Sequence, residues 1–358
     1  MAYYFLTASK DASVYLQQPN QNTGLDEILE VSKVYYGNVK DISRALLKFD
    51  IEHLSSSISS GEISLGDAFL ILKETESEEL PLQYTIYGYP ISQSWEMGIG
   101  TRFDNVTTQG ITWNYREGDS ELEWLPAGTF ANGSTGSYDG QGGVWYYTSS
   151  YSANQSYNYQ SADLQMNVKS MFKAWISGSI KNDGIIVKHS ADFENDVNDY
   201  GILKFFSKET NTIYQPKVRI GWDDQILQTG SLVELTSDDI KVGIKNLKSS
   251  YKINTKQKIR IIGRELYPLK TFVNSFAYND IKYLPTSSYY QIRDYISNDI
   301  IIPFGDYSKI SCDSDGNFIK LNFSNWEANR TYKIEFKVVS NGNEQYFDDK
   351  ICFTLEKD

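Results

Sequence analysis

Residues 163–224 read DLQMNVKSMFKAWISGSIKNDGIIVKHSADFENDVNDYGILKFFSKETNTIYQPKVRIGWDD, and the periodicities in this stretch decide the fold class. Val168, Met171, Phe172 and Trp175 stand at i, i+3, i+4 and i+7, a one-sided apolar stripe that predicts a short amphipathic helix starting after Asn167 and stopped by Gly178. Strand patterns follow it. Residues 184–187 are a continuous apolar run, and 201–207 are apolar and aromatic. Residues 217–222 alternate, with Val218, Ile220 and Trp222 on one face and Lys217, Arg219 and Gly221 on the other. One helix is laid across a β core, and such a pattern needs no chemistry to explain it.

Composition extends this reading to the whole chain. Its 358 residues suffice for two domains, each with a sizeable core. Aromatic residues make up 14%, with 27 Tyr, while Pro is scarce and no long helical periodicity occurs, so an all-β protein is expected. A net charge of −12 repels phosphate backbones, and with no basic run to offset it nucleic acid is not an expected partner. Cys312 and Cys352 show no metal-ligand spacing and read as small buried apolar residues. The start, MAYYFLTASKDASVY, has too short an apolar run for a signal peptide, and no stretch approaches the ~20 apolar residues of a membrane span. Synthesis in a cytoplasm without membrane insertion is expected.

Taken in order, residues 3–16 are β-rich but broken by Lys10 and Asp11, and QQPNQNTG (17–24) reads as a polar loop with Pro19 and Gly24 as turn residues. Strand candidates follow at 28–36 and 44–51. The Ser-rich run LSSSISSGEIS (54–64) reads as a surface connection inside one domain, and 68–73 and 82–89 as further strands. The long region 91–159 is rich in Gly, Ser, Asn and aromatics and carries Trp95, Trp113, Trp124 and Trp145. Four Trp, each able to bury ~200 Å², predict that it is folded down. Exposed instead, these four rings are the candidate contact residues for a glycan or a protein. QILQTG (225–230) carries the best linker signal. Beyond it Ile240, Val242 and Ile244 alternate, as do Ile259 and Ile261, Ile300 and Ile302, and Tyr332, Ile334, Phe336 and Val338. Asp315-Gly316 and Asn341-Gly342 supply hairpin turns, so residues 231–358 read as a second sandwich.

Tests for chemistry assign no catalytic or cofactor-binding residue. His53 and His189 have no HExxH-like setting and are expected at the surface or its boundary. The Gly-rich run 133–143 lacks the Lys and the strand-to-helix context of a phosphate loop. A glycosidase pair is not visible in sequence spacing, and a lyase or hydrolase finds no positioned acid and base. Asp192, Glu194, Asp196 and Asp199 are the candidate Ca²⁺ cluster, weighed against a solvated loop. Asp313 and Asp315 read as turn chemistry, because Ser324 stands where an EF-hand would need Glu.

Four runs, KDASVYLQQPNQNTGLDEILEV (10–31), RALLKFDI (44–51), GITWNYREG (110–118) and NVKSMFKAWISGSIKNDGIIVK (167–188), resemble in order the landmarks of the DNRLRE-type β-sandwich. That family is a jelly-roll module related to carbohydrate-binding modules, and the resemblance covers about residues 3–224. YTIYGYPISQSWEMGIG (84–100) and KFFSKETNTIYQPKVRIGWDD (204–224) look like the version found in structural proteins of tailed bacteriophage virions. In that version a second β domain follows, as IRIIGRELYPLKTF (259–272) and SYYQIRDYISNDIIIPF (288–304) suggest. The resemblance implies a jelly-roll sandwich with one short helix over 1–225, a linker at 226–230, and an Ig-like sandwich over 231–358. It implies a non-enzymatic virion component of the neck, tail, baseplate or capsid surface, in contact with other virion proteins in a symmetric assembly. The alternative is a glycan-binding module or host-surface adhesin whose ligand is a host surface glycan.

Overall fold

A computed structural model describes residues 3–61, 63–107, 109–124, 134–135, 146–147, 151–158, 163–268 and 281–357. The protein is all-β, with several sheets. It divides into two compact units, one of residues 6–220 and one of residues 1–5 with 221–358.

The first unit is built on a ten-stranded sheet. Its strands are β1 (Tyr3–Tyr15), β2 (Ile28–Tyr36), β3 (Val39–Phe49), β4 (Asp67–Leu72) and β5 (Gln83–Pro90), then β10 (Ala153–Asn158), β11 (Leu164–Asn167), β12 (Ile185–His189), β13 (Gly201–Phe206) and β14 (Lys217–Gly221). Two small ladders interrupt the series, β6 (Tyr115–Glu117) with β7 (Leu122–Glu123) and β8 (Ser134–Thr135) with β9 (Tyr146–Tyr147). The main path runs β10-β5-β12-β3-β1-β14-β4-β11, with β2 joining β3 to β13. β3 lies at its centre because its sequence is apolar on both faces: Leu46 and Leu47 are both fully buried. Its first half pairs with β2, its second half with β12, and its other edge with β1.

The predicted helix is present as α2 (Lys169–Ile176), with Val168 at its N-cap and Val168, Met171, Phe172 and Trp175 all buried. Gly178 follows at φ +72°, a conformation that suits glycine. The expectation of one helix is corrected to three among the described residues. α1 (Glu52–Ser59) forms inside the Ser-rich run, where Leu54 anchors it, and α3 (Ala191–Asn195) forms where Ser190 caps the Phe193 amide.

The Trp-bearing described part of the long aromatic excursion, residues 91–124, lies against one face of the central sheet, and its residues 153–158 join that sheet as β10. Trp95, Trp113 and Trp124 pack there with Ala12, Val14, Ile42, Leu46 and Ile186. Asn22 pins it. Its amide donates to the Met97 and Ile111 carbonyls at 2.8 and 2.7 Å, and its carbonyl oxygen accepts from the Gly100 and Gly24 amides. At Gly98, φ +81°, a Cβ would meet the Asn22 side chain at 2.5 Å and the Gln109 carbonyl closer still, so the crossing requires glycine. Thus QQPNQNTG, expected as a polar loop, buries Gln21, Asn22 and Thr23; Gln21 and Asn22 serve later segments of the chain, and the Thr23 hydroxyl donates back to the Ser13 carbonyl of β1.

In the second unit a six-stranded and a five-stranded sheet share one core. The six-stranded sheet holds β15 (Val233–Glu234), β16 (Ile240–Lys245), β18 (Lys256–Glu265), β19 (Lys282–Tyr283), β22 (Ser311–Asp313) and β23 (Gly316–Asn322). The five-stranded sheet holds β17 (Ser250–Lys252), β20 (Ser288–Asp294), β21 (Ile300–Ile302), β24 (Arg330–Ser340) and β25 (Asn343–Glu356). Val242, Ile259, Ile261, Ile319 and Leu321 from the first meet Ile292, Ile334, Phe336, Val338 and Phe353 from the second. Asn341-Gly342, both at positive φ, turn the β24–β25 hairpin, and Gly316, at φ +115°, closes the β22–β23 hairpin opposite Asp313 just after Asp315. Tyr3 and Phe5 belong to this core, Phe5 edge-on to Trp326 at 6.0 Å. Residues 225–228, expected as linker, are hydrogen-bonded along β22: the Cys312 amide donates to the Ile226 carbonyl, and the Gln228 amide to the Cys312 carbonyl. Cys312 is buried, Cys352 is partly exposed, and both are free thiols.

Candidate functional site

The densest set of chemically capable side chains lies in the first unit, where β2, β3 and β12 meet α3 and the turn after it. Sheet alternation turns Arg44 and Lys188 to the same face as Ile42, Leu46 and Ile186, so both cations are buried. Glu194 answers them from α3. Its carboxylate accepts from Arg44 Nε at 3.1 Å and Nη2 at 2.9 Å, a forked pairing, and lies 2.9 Å from Lys188 Nζ. All three side chains are at most 1% exposed. Arg44 also lies over the Trp113 ring at 4.5 Å. Burial would raise the Glu194 carboxyl, but Arg44 and Lys188 outweigh it and hold it below the usual carboxylate range. Burial lowers Lys188 to about 8 against the pull of Glu194.

Beside this trio the Lys33 ammonium is enclosed by oxygens. It donates to the Asp196 carbonyl at 2.9 Å, to Asp196 Oδ1 at 2.8 Å, and to the Asn198 carbonyl. Tyr200 donates to the other Asp196 oxygen at 2.6 Å and Tyr35 to its carbonyl at 3.0 Å. Burial works against the Asp196 charge, but the bonds from Lys33, Tyr200 and Asn198 prevail and hold its carboxyl well below the usual range. The carboxylates of the candidate Ca²⁺ cluster therefore diverge: Glu194 to Arg44 and Lys188, Asp196 to Lys33, Asp199 to the Tyr35 and Gly201 amides, and Asp192 to solvent. The Lys33 ammonium occupies the oxygen-lined position that a cation would seek. Among the described residues no group of three or more His, Cys, Asp or Glu is arranged to hold a metal ion.

His189, expected at the surface or its boundary, is 1% exposed and packs on Tyr200 with ring centroids 5.3 Å apart. Neither ring nitrogen has a hydrogen-bond partner among the described residues, and burial lowers its pKa to about 4. His53 is exposed. Of the Trp contact candidates, Trp95, Trp113 and Trp124 are only 2–3% exposed and so offer no face to a glycan or a partner; Trp145 lies outside the described residues, as do residues 125–133 and 136–145. The Trp95 indole donates to the Asp183 carbonyl at 2.8 Å, a core role. Sequence reasoning missed Lys33, Arg44 and Lys188. The available signal was a cation inside an apolar strand pattern, as Arg44 in ISRALL (42–47) and Lys188 in IIVKH (185–189).

No family model matches the chain, and no curated protein matches it. Among solved structures it is similar to a DUF4785 family protein from Legionella pneumophila subsp. pneumophila, at 8% identity and a TM-score of 0.21, over 99% of this chain and 68% of that one. It is also similar to the tripod (BppUct-A-L) from the baseplate of bacteriophage Tuc2009, at 8% identity and a TM-score of 0.16, over 99% and 98% of the two chains. Likenesses with such low TM-scores carry no argument about fold or function.

Proposed function

We propose that the chain is a non-enzymatic structural component of a tailed-bacteriophage virion that acts through protein–protein contacts. Residues 6–220 form its DNRLRE-type jelly-roll module, and the second unit its Ig-like sandwich. The supporting observation is where the resembling runs fall. KDASVY, RALLKFDI and the run 167–188 coincide with β1, β3, α2 and β12, the centre of the first unit. The buried charges favour the same reading, because Arg44, Lys188, Glu194, Lys33 and Asp196 are used in holding α3 and its following turn to the sheet. A site that turned over substrate would keep such groups open to a cleft. The glycan reading loses three of its four rings to the core.

The test is mass spectrometry of purified particles from infected cells. A fixed copy number per particle supports the proposal, and absence from particles sinks it. Locating the subunit in a reconstruction of the whole particle would then distinguish neck, tail, baseplate and capsid surface.

A further inference from the structure

The average charge conceals a segregation. Residues 6–220 hold 16 Lys and Arg against 27 Asp and Glu, whereas residues 221–358 hold 18 against 19. Within the nearly neutral second unit, the outer face of the six-stranded sheet is basic. The register sets Lys241 opposite Arg264, Lys245 opposite Arg260, and Lys258 opposite Lys320. Like charges directly opposite each other across strands destabilise a sheet, and three such pairs on one face are a cost that folding alone does not explain. Asp313 answers Lys258 and Arg260 at 2.6 Å each, and Glu265 answers Lys282. Lys241, Lys245, Arg264 and Lys320 have no acidic partner among the described residues. Lys245, Lys258, Arg260, Arg264 and Lys282 line a cleft of about 660 Å³ together with Ile262, which is 44% exposed.

A feature of opposite charge occurs in the first unit. The β6–β7 hairpin carries Glu117, Asp119, Glu121 and Glu123, the last three exposed, and the exposed Leu122. None of its four carboxylates has an ion pair among the described residues, and the adjacent Arg116 turns to the Ser94 carbonyl instead. The tip thus presents carboxylates without ion pairs around one apolar side chain, and the cleft presents Lys245 and Arg264, without acidic partners among the described residues, around another.

We propose that the basic face of the second unit docks the acidic β6–β7 hairpin of a second copy of this chain. The contact is heterologous, joining different patches on the two copies, so it builds a ring or an open row. This deepens the proposed role and rests on it, since it names the chain itself as one of the virion contacts. A protein loop fits better than an anionic glycan: Phe318, the ring at the centre of the face, is 2% exposed beneath Lys258, Arg260 and Lys320 and turns no surface to a sugar.

Light scattering on the full chain at tens of micromolar provides the test. Association is expected in low salt and loss of it in high salt, because opposed surface charges are screened. Lys241→Glu with Arg264→Glu, or Glu121→Lys with Glu123→Lys, should each weaken association about tenfold or more, with unchanged circular dichroism melts showing that the variants fold. Mixing the two variants should restore association, since the unchanged hairpin of one meets the unchanged face of the other and the two reversed patches also carry opposite charge. A wild type that stays monomeric in low salt overturns the inference, as does an assembly indifferent to both reversals. A monomer that binds polygalacturonate through Lys241 and Arg264 also overturns it and gives the face to a polyanion. A monomer in solution that is nevertheless found at fixed copy number in particles ends this inference and leaves the proposed function standing.

Discussion

Glu194 holds two buried cations, and the consequences of removing it differ from those of removing all three charges. Glu194→Gln leaves Arg44 and Lys188 buried without a carboxylate, and a loss of about 3–5 kcal/mol is expected in denaturant unfolding. Replacing Arg44, Lys188 and Glu194 together by Met should cost far less, because desolvating the ions consumes most of what their attraction returns. A triple variant as unstable as Glu194→Gln would show that the trio contributes net stability. Two other buried groups give opposite pH signatures. Burial raises Asp11 to about 7, so between pH ~4 and ~7 the native state holds a proton that the unfolded chain has lost, and this contribution to stability falls as pH rises. Burial lowers His189 to about 4, so between pH ~4 and ~6.5 the unfolded chain holds the extra proton, and stability rises with pH. Relative to wild type, Asp11→Asn should therefore gain stability as pH rises through this range, and His189→Phe should lose it. Each slope approaches about 1.4 kcal/mol per pH unit. Difference profiles that are flat for both variants would contradict these burial effects.

At the scale of elements, legibility followed the range of the interactions. α2 was readable because its stripe is local, and the two hairpin turns because Asp-Gly and Asn-Gly carry their own backbone preference. α3 was not readable: its acidic sequence resembles a solvated loop, and the cation that buries Glu194 lies 150 residues away in β3. Asn22 was hidden in the same way, since its partners are 75 to 89 residues downstream. Asn22→Ala should leave four buried backbone groups short of a partner and cost about 2–4 kcal/mol, with the loss seen first as faster amide exchange around Met97 and Ile111. In α2, Trp175→Ala should cost about 3–5 kcal/mol, as for other large core aromatics. Lys173 points to water, and Lys173→Ala should stay within about 0.5 kcal/mol. Equal and negligible shifts in melting for the two would remove the packed helix from the fold.

At the scale of the whole molecule, chain order and packing order part company at the N-terminus. The all-β class and the presence of two β patterns were legible in strand periodicity, but the ownership of residues 1–5 was not, because Tyr3 and Phe5 look like any strand residues until their partners are known. Tyr3 is edge-on to Tyr307 at 6.3 Å, Phe5 packs on Trp326, and Asn325 donates to the Phe5 carbonyl at 2.7 Å. A fragment of residues 231–358 therefore lacks two core aromatics and also the 225–228 segment that pairs with β22. Each aromatic is worth about 3–5 kcal/mol, and a domain's total stability is only about 5–15 kcal/mol, so this fragment should be largely unfolded. Residues 221–358 regain the β22 pairing but still lack Tyr3 and Phe5, and should melt well below the full chain. Adding a peptide of residues 1–8 in excess should raise that melting temperature in a concentration-dependent way, as expected for a ligand bound only by the folded state. Tyr3→Ala with Phe5→Ala in the peptide should abolish the effect. Cooperative melting of residues 231–358 at the temperature of the second unit in the full chain would show that the pentapeptide is dispensable to that core.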